Sequence, residues 1–432
     1  MLGYYLELAW RSLKRTPILT ALMVLAIGLG IGASMTMITV LHVMTADPIP
    51  GRSAELFYPQ LDPRPMEHYT KGEDPPDELT WIDAMNLLHA KKGVHQAAMV
   101  GGYLTVVPSE GATHAFIAGG RYTTADFFAM FDVPFVAGSG WTTGDDDKRA
   151  HVAVISRKLA DRLYGTSGAV GKVLRLGKYD FRVVGVIDNW NPAPHFYDLG
   201  VGDYATQEQV FVPIETAMQL KQPIMTSMNC WGDIPTGDMT KAECTWMQFW
   251  VQLDTPAQVR AYRQFLIHYS KEQKQLGRFQ RPPNTHLRDV MQWLAYNQVV
   301  PGSVQLEAML ALGFLLVCLV NTVALLLVKF LRRGGGLAVR RAMGASKRSV
   351  FAQLLVEAAL TGLAGGLVGL LLALFGLWVV RQQPAAYAGL AHLDGAMLGV
   401  TFVLAVCATL LAALFPAWRA CRLMPARLLK TQ

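Results

Sequence analysis

Four stretches of this 432-residue chain contain no Asp, Glu, Lys or Arg, and they limit the fold more than any other feature. They are residues 18–43, 308–328, 358–380 and 395–418. A helix needs about 20 apolar residues to cross a hydrocarbon core about 30 Å thick, and a backbone in lipid must satisfy its own hydrogen bonds. We therefore predict four transmembrane helices. The first stretch, with 26 residues, is too long for the apolar part of a cleaved secretory signal, so we expect a retained anchor.

The positive charges predict how these helices are oriented. Residues 1–17 and 329–349 carry 3 and 7 basic side chains, and the tail after Trp418 carries 4, against one acidic residue in all three segments. Residues 44–305 carry 24 basic and 28 acidic side chains. Because basic loops stay on the cytoplasmic side, we predict that both termini lie inside and residues 44–305 outside. The excess positive charge therefore lies beside the membrane, which argues against nucleic-acid binding.

The outer segment combines strand and helix signals. Residues 151–155 alternate as a strand, and 157–164 follow as a helix that Ser156 can cap. Residues 172–176 and 180–187 then have the pattern of two strands joined by a short turn. A strand, helix and hairpin in this order predict an α+β domain.

One part of the outer segment has little periodicity. Residues 190–245 are rich in Pro, Gly, Met and Trp, which predicts an irregular insert. Cys230 and Cys244 are the two cysteines of the outer segment. An oxidising compartment would allow them to form a disulfide, with two free buried thiols as the alternative.

These signals predict a polytopic α-helical membrane protein with four transmembrane helices and a large α+β domain inserted between the first and the second. Residues 1–17 place apolar and charged side chains on opposite helical faces, as in an interfacial amphipathic helix, with a cytoplasmic extension of the first span as the alternative. In chain order the predicted segments are that helix (1–17), the first span (18–43), the outer domain (44–304, with the insert at about 190–245), the second span (305–331), a cytoplasmic segment (332–349), the third span (350–380), a short outer loop (381–394), the fourth span (395–418) and a cytoplasmic tail (419–432).

The sequence contains no recognisable motif for nucleotide binding or catalysis. Residues 165–173, GTSGAVGKV, differ from a phosphate-binding loop in spacing, and Val follows the lysine where Ser or Thr is needed. The histidines lack the spacing of a metal site, and no nucleophile elbow is found. We therefore expect a chain that is not an enzyme and binds no cofactor or metal of its own.

Small residues predict close helix packing in two of the spans. Small side chains let helix backbones approach each other in lipid. We expect packing within this chain, with a subunit interface as the alternative. The glycines concerned are Gly28, Gly32, Gly362, Gly365, Gly366 and Gly369.

Glu357 is an acidic residue about two turns inside the third span. A carboxylate placed centrally in a membrane costs about 2.5 kcal/mol or more, so it needs a partner or a route to water. Two interpretations remain open. The side chain reaches Lys347 or Arg348 at the membrane surface, or it couples helices.

Residues 331–351 read LRRGGGLAVRRAMGASKRSVF and lie between two spans. The RRAMGA at 340–345, followed by Ser-Lys-Arg and an apolar helix, resembles the first cytoplasmic loop of the MacB and FtsX-type permeases of ABC transporters. The resemblance continues at residues 8–15, 122–128, 133–138, 152–156, 171–176, 183–186 and 415–420. It implies a mechanotransmission permease of the bacterial inner membrane, in which ATP-driven motion passes to a MacB-like periplasmic core domain.

In that family the loop forms a coupling helix that docks on an ATPase subunit. The resemblance implies that a separate ABC ATPase binds ATP and Mg²⁺ and contacts this loop. Glycines at 334–336 and Gly344 are expected to turn the backbone between the spans. The coupling residues implied are Arg332, Arg333, Arg340, Arg341, Ala342, Met343, Gly344, Ala345, Lys347 and Arg348.

Two departures from the family pattern bear on the ATPase contact. Gly336 stands where the family usually has Glu, and residues 424–429 lack the acids of its usual closing Asp-Pro-x-Glu-Ala-Leu. They favour a heterodimer with a second, unlike permease over a homodimer. The other implied partners are a periplasmic membrane fusion protein and an outer-membrane channel.

The implied function is export of a substrate whose identity the sequence leaves open. One alternative is an FtsX-like regulator that activates a periplasmic hydrolase. A membrane-bound hydrolase is a further alternative, although paired catalytic residues are not recognisable in the sequence.

Overall fold

The computed structural model describes residues 2–108, 114–165, 168–234, 238–383 and 395–422. The chain forms two compact units. We call Met1–Thr45 with Val300–Gln432 the membrane unit, and Ala46–Val299 the outer domain. Most of the predicted outer loop at 381–394 and of the predicted tail at 419–432 lies outside the described residues.

Each of the two units contains helices among the described residues. The membrane unit contains α1, α2 and α10 to α13. Of these, α2, α10, α12 and α13 are long and apolar enough to cross a membrane, which confirms the prediction of four spanning helices. In chain order the helices are α1 (Leu2–Arg15), α2 (Pro17–Thr45), α3 (Trp81–Ala90), α4 (Asp126–Met130), α5 (Thr143–Asp147), α6 (Arg157–Tyr164), α7 (Ile214–Gln219), α8 (Pro256–Gln275), α9 (Val290–Tyr296), α10 (Gly302–Arg332), α11 (Gly334–Ala342), α12 (Lys347–Arg381) and α13 (Gly395–Arg422).

Helices α2 and α12 pack closely through their glycines. A Cβ atom added at Gly28 would lie 2.7 Å from Cγ1 of Val368, and one added at Gly32 would lie 2.7 Å from Cβ of Leu372. Such distances are too short for carbon atoms, so only glycine allows this approach of the two helices. On α12, Gly365 and Gly369 face α2 in the same way, whereas Gly362 and Gly366 face α13. The predicted packing glycines thus contact helices of their own chain.

The outer domain is built on an eleven-stranded mixed sheet. The strand order is β13-β1-β12-β2-β3-β8-β5-β7-β4, with β6 paired to β2 and β7, and β9 paired to β2. The pairs β3–β8 and β5–β7 are parallel and the others antiparallel. The strands are β1 (Leu56–Leu61), β2 (Gln96–Val107), β3 (Phe116–Thr123), β4 (Phe135–Gly138), β5 (Val152–Ser156), β6 (Val173–Leu176), β7 (Tyr179–Ile187), β8 (Val210–Pro213), β9 (Ile224–Met225), β10 (Asn229–Cys230), β11 (Cys244–Thr245), β12 (Gln248–Gln252) and β13 (Thr285–Asp289). Strands β10 and β11 form a separate pair.

Both faces of this sheet are buried. On β2, Ala98 and Val100 belong to one hydrophobic cluster, whereas Ala97 and Met99 belong to a second one. Because successive strand residues point to opposite faces, the two clusters lie on the two sides of the sheet. The second cluster is rich in aromatic rings, including Trp250. With helices and strands in one core, the α+β fold class is confirmed.

The predicted strand, helix and hairpin are present as β5, α6, β6 and β7. The predicted insert is too broad. Residues 210–213 form β8, which lies between β3 and β5 in the main sheet, and α7 follows directly. All four side chains of β8 are buried, so this strand shows none of the alternation that identifies a half-buried strand.

Candidate functional site

The segment between the second and third spans is a short helix followed by a tight turn. Helix α10 ends at Arg332, and α11 begins two residues later. After α11, Gly344 has φ +97°, and Ser346 caps the start of α12. A φ of this sign favours glycine, so Gly344 has the predicted turning role. The expectation is wrong for residues 334–336, because they lie in the first turn of α11, where φ is helical.

Three of the predicted coupling arginines make contacts within the membrane unit. Arg340 donates from Nη1 to Oε1 of Gln353 at 2.7 Å, on α12. Arg341 donates from Nη1 to the backbone oxygen of Cys421 at 3.2 Å, on α13. Arg333, between α10 and α11, donates from Nη2 to a backbone oxygen of α1 at 2.7 Å. These arginines therefore tie the segment to three helices of the bundle.

Other predicted coupling residues are exposed. Arg332, Lys347 and Arg348 are exposed cations, and Met343 in the turn is 76% exposed. We call these four the exposed coupling residues. Ala345 is half-buried against the bundle, and the side chain of Ala342 lies outside the described part. A flexible thioether together with three cations suits a partner surface that is partly apolar and partly acidic.

Glu357 forms a buried ion pair with Lys329 of α10. The Nζ atom of Lys329 lies 2.7 Å from Oε1 of Glu357, and neither side chain is more than 1% exposed. The interpretation in which Glu357 reaches Lys347 or Arg348 is therefore wrong. Lys347 precedes Glu357 by ten residues and Arg348 by nine on the same helix, which puts them about 14 Å or more away along its axis.

Helix α1 and Arg333 complete the network around Glu357. The hydroxyl of Ser12 donates to Oε1 of Glu357 and accepts from Nη1 of Arg333. The same Nη1 lies 3.5 Å from Oε2 of Glu357. We call Ser12, Lys329, Arg333 and Glu357 the Glu357 network. The network joins three helices close to α11, namely α1, the end of α10, and α12. A cavity of about 470 Å³ borders it.

The energetics of this network depend on its burial. A buried ion pair contributes little relative to apolar side chains, because both charges have lost their hydration. Removing one partner instead leaves a buried charge unpaired, at a cost of about 3–5 kcal/mol. The three segments are therefore held in one arrangement until the whole network rearranges together.

Two family models cover most of the chain. The MacB-like periplasmic core domain matches residues 20–266, and the FtsX-like permease C-terminal domain matches residues 308–425. The chain belongs to the MacB/FtsX permease family. The second match includes α11, the exposed coupling residues, Lys329 and Glu357.

Curated relatives of this permease align over half or more of its length. The pyoverdine export ATP-binding/permease protein PvdT of Pseudomonas entomophila is 25% identical over 435 residues, covering 99% of this chain and 59% of the relative. The macrolide export ATP-binding/permease protein MacB of Bdellovibrio bacteriovorus is 23% identical over 239 residues, covering 55% of this chain and 32% of the relative. The chain thus spans about three fifths of the PvdT relative's length.

Solved structures similar to the permease include two outer domains. The periplasmic region of MacB from Actinobacillus actinomycetemcomitans is 12% identical, with a TM-score of 0.36, and the match covers 57% of this chain and 94% of that one. The extracellular domain of the ABC-type transporter YknZ from Gram-positive bacteria is 12% identical, with a TM-score of 0.35. That match covers 54% of this chain and 100% of the YknZ domain.

The permease contains a second buried charge network, in the outer domain, that the sequence did not indicate. Arg121 on β3 is fully buried and donates to Oδ2 of Asp198 at 2.5 Å and to Oε1 of Glu208 at 3.1 Å. Burial alone would raise the pKa of Glu208, but Arg121 and then His195 outweigh it and hold that pKa well below its usual value. This network fastens the segment between β7 and β8 to the sheet.

The cysteines of the outer domain are paired. Cys230 and Cys244 form a disulfide and lie opposite each other on β10 and β11. Within the described ranges, no group of three or more His, Cys, Asp or Glu side chains is placed to hold a metal.

Proposed function

We propose that this chain is the permease subunit of an ABC transporter, in which a separate ATPase drives export by moving the periplasmic domain. ATP binding would displace residues 332–349, which we call the coupling segment, and the packed helices would transmit that displacement to the outer domain. The termini and the coupling segment would lie in the cytoplasm of a bacterial cell, and the outer domain in the periplasm.

The observation that carries this proposal is the Glu357 network. It joins the junction of α10 and α11 to α12 and α1 through the buried pair of Lys329 and Glu357 and the partly exposed Arg333. A displacement of α11 would pull on Arg333, which contacts both Ser12 of α1 and Glu357 of α12. The network therefore makes these helices move as a unit.

The exposed coupling residues supply the contact for the ATPase. They present three cations and Met343 at the turn between α11 and α12. Arg332, Lys347 and Arg348 can pair with acidic residues on a partner, while Met343 fills an apolar pocket. The names of the matched relatives combine an ATP-binding part with a permease part, which supports such a pairing.

The remaining partners are part of the same proposal. A second permease copy, favoured as an unlike chain, would complete the transporter, and a membrane fusion protein with an outer-membrane channel would continue the path. The outer domain has about 250 residues. A domain of this size favours export over an FtsX-like regulatory role, because the resemblance implies a much smaller outer domain for such a regulator.

The docking role is tested with the double variant Lys347→Glu/Arg348→Glu. Both residues are exposed, so reversing their charge leaves the bundle intact. We expect the variant to lose more than about tenfold in affinity for an ABC ATPase that binds the unmodified permease, because two attractive pairs become repulsive. Affinity is measured by surface plasmon resonance on the full-length permease in nanodiscs.

A matched control reverses two exposed arginines of the outer domain, Arg260→Glu/Arg263→Glu. This control should bind the ATPase like the unmodified permease. Equal ATPase affinity for both double variants would refute docking at the turn.

A further inference from the structure

A cavity of about 250 Å³ lies within the outer domain, apart from the coupling segment. Its walls come from β1, β12 and α9, from the residues that precede α3, and from the segment after β7. Four carboxylic side chains line it, namely Asp77, Glu78, Asp198 and Asp203. A cavity with this lining attracts positive charge.

The carboxyl groups differ in how they are balanced. Asp198 is paired with Arg121. Asp77 accepts a hydrogen bond from Nε2 of Gln60 at 3.1 Å. Glu78 is 8% exposed and bonds to Ser227, and among the described residues no Lys, Arg or His lies within ion-pair distance of it. The cavity therefore contains a buried acid without a counter-charge, and such an acid either keeps its proton or pairs with a cation that a ligand supplies.

Gln248 on β12 gives an independent indication of a ligand. This residue lines the cavity and is 3% exposed, and its Oε1 has no hydrogen-bond partner in the described part of the chain. The hydroxyl of Thr226 donates to the backbone oxygen of Trp246 and so accepts from Nε2 of Gln248 at 3.0 Å. That pair fixes the orientation of the amide. Its oxygen is left as a buried acceptor that requires a donor.

Two aromatic rings form another wall of the cavity. Tyr58 and Trp293 are stacked with centroids 4.0 Å apart, and both line the cavity. Aromatic faces attract cations, the more strongly when the cation is removed from water. The wall thus suits an alkyl group that carries a positive charge.

Burial has a measurable effect on the unbalanced acid. It raises the pKa of Glu78 to about 8, and the neighbouring carboxylates of Asp77 and Asp198 add to the rise. The groups around Glu78 are these two, then Asp203 and Tyr197 from the segment after β7, and Tyr58 on β1. A bound cation would offset this repulsion and favour the ionised form of Glu78.

We propose that this cavity binds a small organic ammonium ion through Glu78, Gln248 and the Tyr58–Trp293 wall. An ammonium group has three N–H donors, and Glu78 and Gln248 offer it a carboxylate and an unpaired amide oxygen. Its alkyl group would lie against the two rings. This site does not depend on the proposed coupling to an ATPase, because it lies wholly within the outer domain.

The test is isothermal titration calorimetry on the full-length chain in nanodiscs, with n-butylammonium as the probe at pH 8.5. We expect saturable one-to-one binding. Tetramethylammonium has the same number of carbons and the same charge but no N–H donor, so its affinity should be lower by at least about tenfold. Butan-1-ol, which is neutral, should give no saturable heat. Absence of saturable butylammonium binding, or equal affinity for the two cations, would overturn the proposal.

A substitution at Glu78 tests whether butylammonium binds at this residue. Glu78→Gln should reduce the affinity for butylammonium by about tenfold or more, since the buried carboxylate that would pair with the ammonium group is lost. The variant resembles the protonated acid in shape, so its thermal unfolding midpoint at pH 6 should match that of the unmodified chain. Glu272→Gln, the same change at an exposed position of α8, should leave the affinity unchanged. Unaltered affinity in Glu78→Gln would place any binding elsewhere.

The unmodified chain provides a test that needs no variant. At pH 6 Glu78 is protonated and must release its proton before it can pair, whereas a primary ammonium keeps its charge up to about pH 10. The affinity for butylammonium should therefore rise about tenfold or more between pH 6 and pH 8.5. An affinity that does not change over this range would contradict the role of Glu78.

Discussion

Glu357 and Lys329 pair across two helices at a position where both side chains are almost completely removed from solvent. Ser12 donates to the same oxygen, Oε1, and Arg333 lies next to the other, Oε2. Both oxygens of the carboxylate thus have partners within the bundle. The pair is expected to fix the arrangement of helices more than to add stability, since apolar side chains of similar volume pack as well.

This view makes a prediction about single and double substitutions. Glu357→Gln should destabilise the permease by about 3–5 kcal/mol, because Lys329 is left charged and buried. The double variant Glu357→Gln/Lys329→Met removes both charges and should recover most of that loss. Thermal unfolding midpoints in one detergent measure the difference.

Glu7→Gln is the matched control for this series. Glu7 pairs with Arg11 on the surface of α1, where both side chains are more than half exposed. Its loss should change stability by less than about 1 kcal/mol. A double variant no more stable than Glu357→Gln alone would show that the charges themselves are needed.

A second residue-scale prediction concerns pH. The folded chain keeps a proton on Glu78 up to about pH 8, whereas the unfolded chain releases it near the ordinary value of 4.5. Between these values the folded state binds more protons, so the free energy of unfolding falls as pH rises, by about 1.4 kcal/mol per pH unit at most. Calorimetry of the full chain between pH 5 and pH 8.5 should show this slope.

The substitution Glu78→Gln isolates that contribution. The variant cannot titrate at this position, so its unfolding midpoint should fall less steeply with pH than that of the unmodified chain. Glu272→Gln should keep the original slope, because residue 272 is exposed. Identical slopes in all three proteins would assign the pH dependence to other groups.

At the scale of helices and strands, the sequence predicted the elements whose patterns are local. The four spans follow from uncharged stretches, and β5 with α6 follows from alternation and the cap at Ser156, whose hydroxyl accepts from Leu159 N at 3.3 Å. The position of β8 was not predictable, since a strand of four buried residues between β3 and β5 has no periodic signal. Contacts between residues far apart in the chain were also missed, because sequence patterns report only on neighbouring positions. Arg121 and Glu208 are 87 positions apart, and nothing local indicates that they meet.

The packing of α2 on α12 leads to a prediction at this scale. Alanine is a better helix former than glycine by about 1 kcal/mol. Gly32→Ala should nevertheless lower the unfolding midpoint, because its Cβ would lie 2.7 Å from Cβ of Leu372. Gly313→Ala is the matched control on α10, where an added Cβ meets nothing within 4 Å. The control should be unchanged or more stable, and an equal gain in both variants would contradict close packing of α2 on α12.

At the scale of the whole molecule, family membership and the fold class are established, whereas the coupling mechanism is the proposal. The MacB-like match covers most of the first span and of the outer domain, and the FtsX-like match covers most of the last three spans. The coupling segment has two groups of residues. Arg333, Arg340 and Arg341 hold it to the bundle, and the exposed coupling residues are free to meet an ATPase. The sequence identified all of these residues but could not separate the two groups, because that depends on which helix each arginine faces.

The most direct test follows the motion itself. Hydrogen exchange of the outer domain is measured by mass spectrometry on the permease bound to its ATPase, with and without ATP, in the unmodified chain and in Glu357→Gln/Lys329→Met. The proposed mechanism predicts that ATP changes exchange in the outer domain of the unmodified chain. It predicts no such change in the neutral double variant, although the variant still binds the ATPase through its intact turn. An outer domain that responds equally to ATP in both proteins would contradict transmission through the Glu357 network.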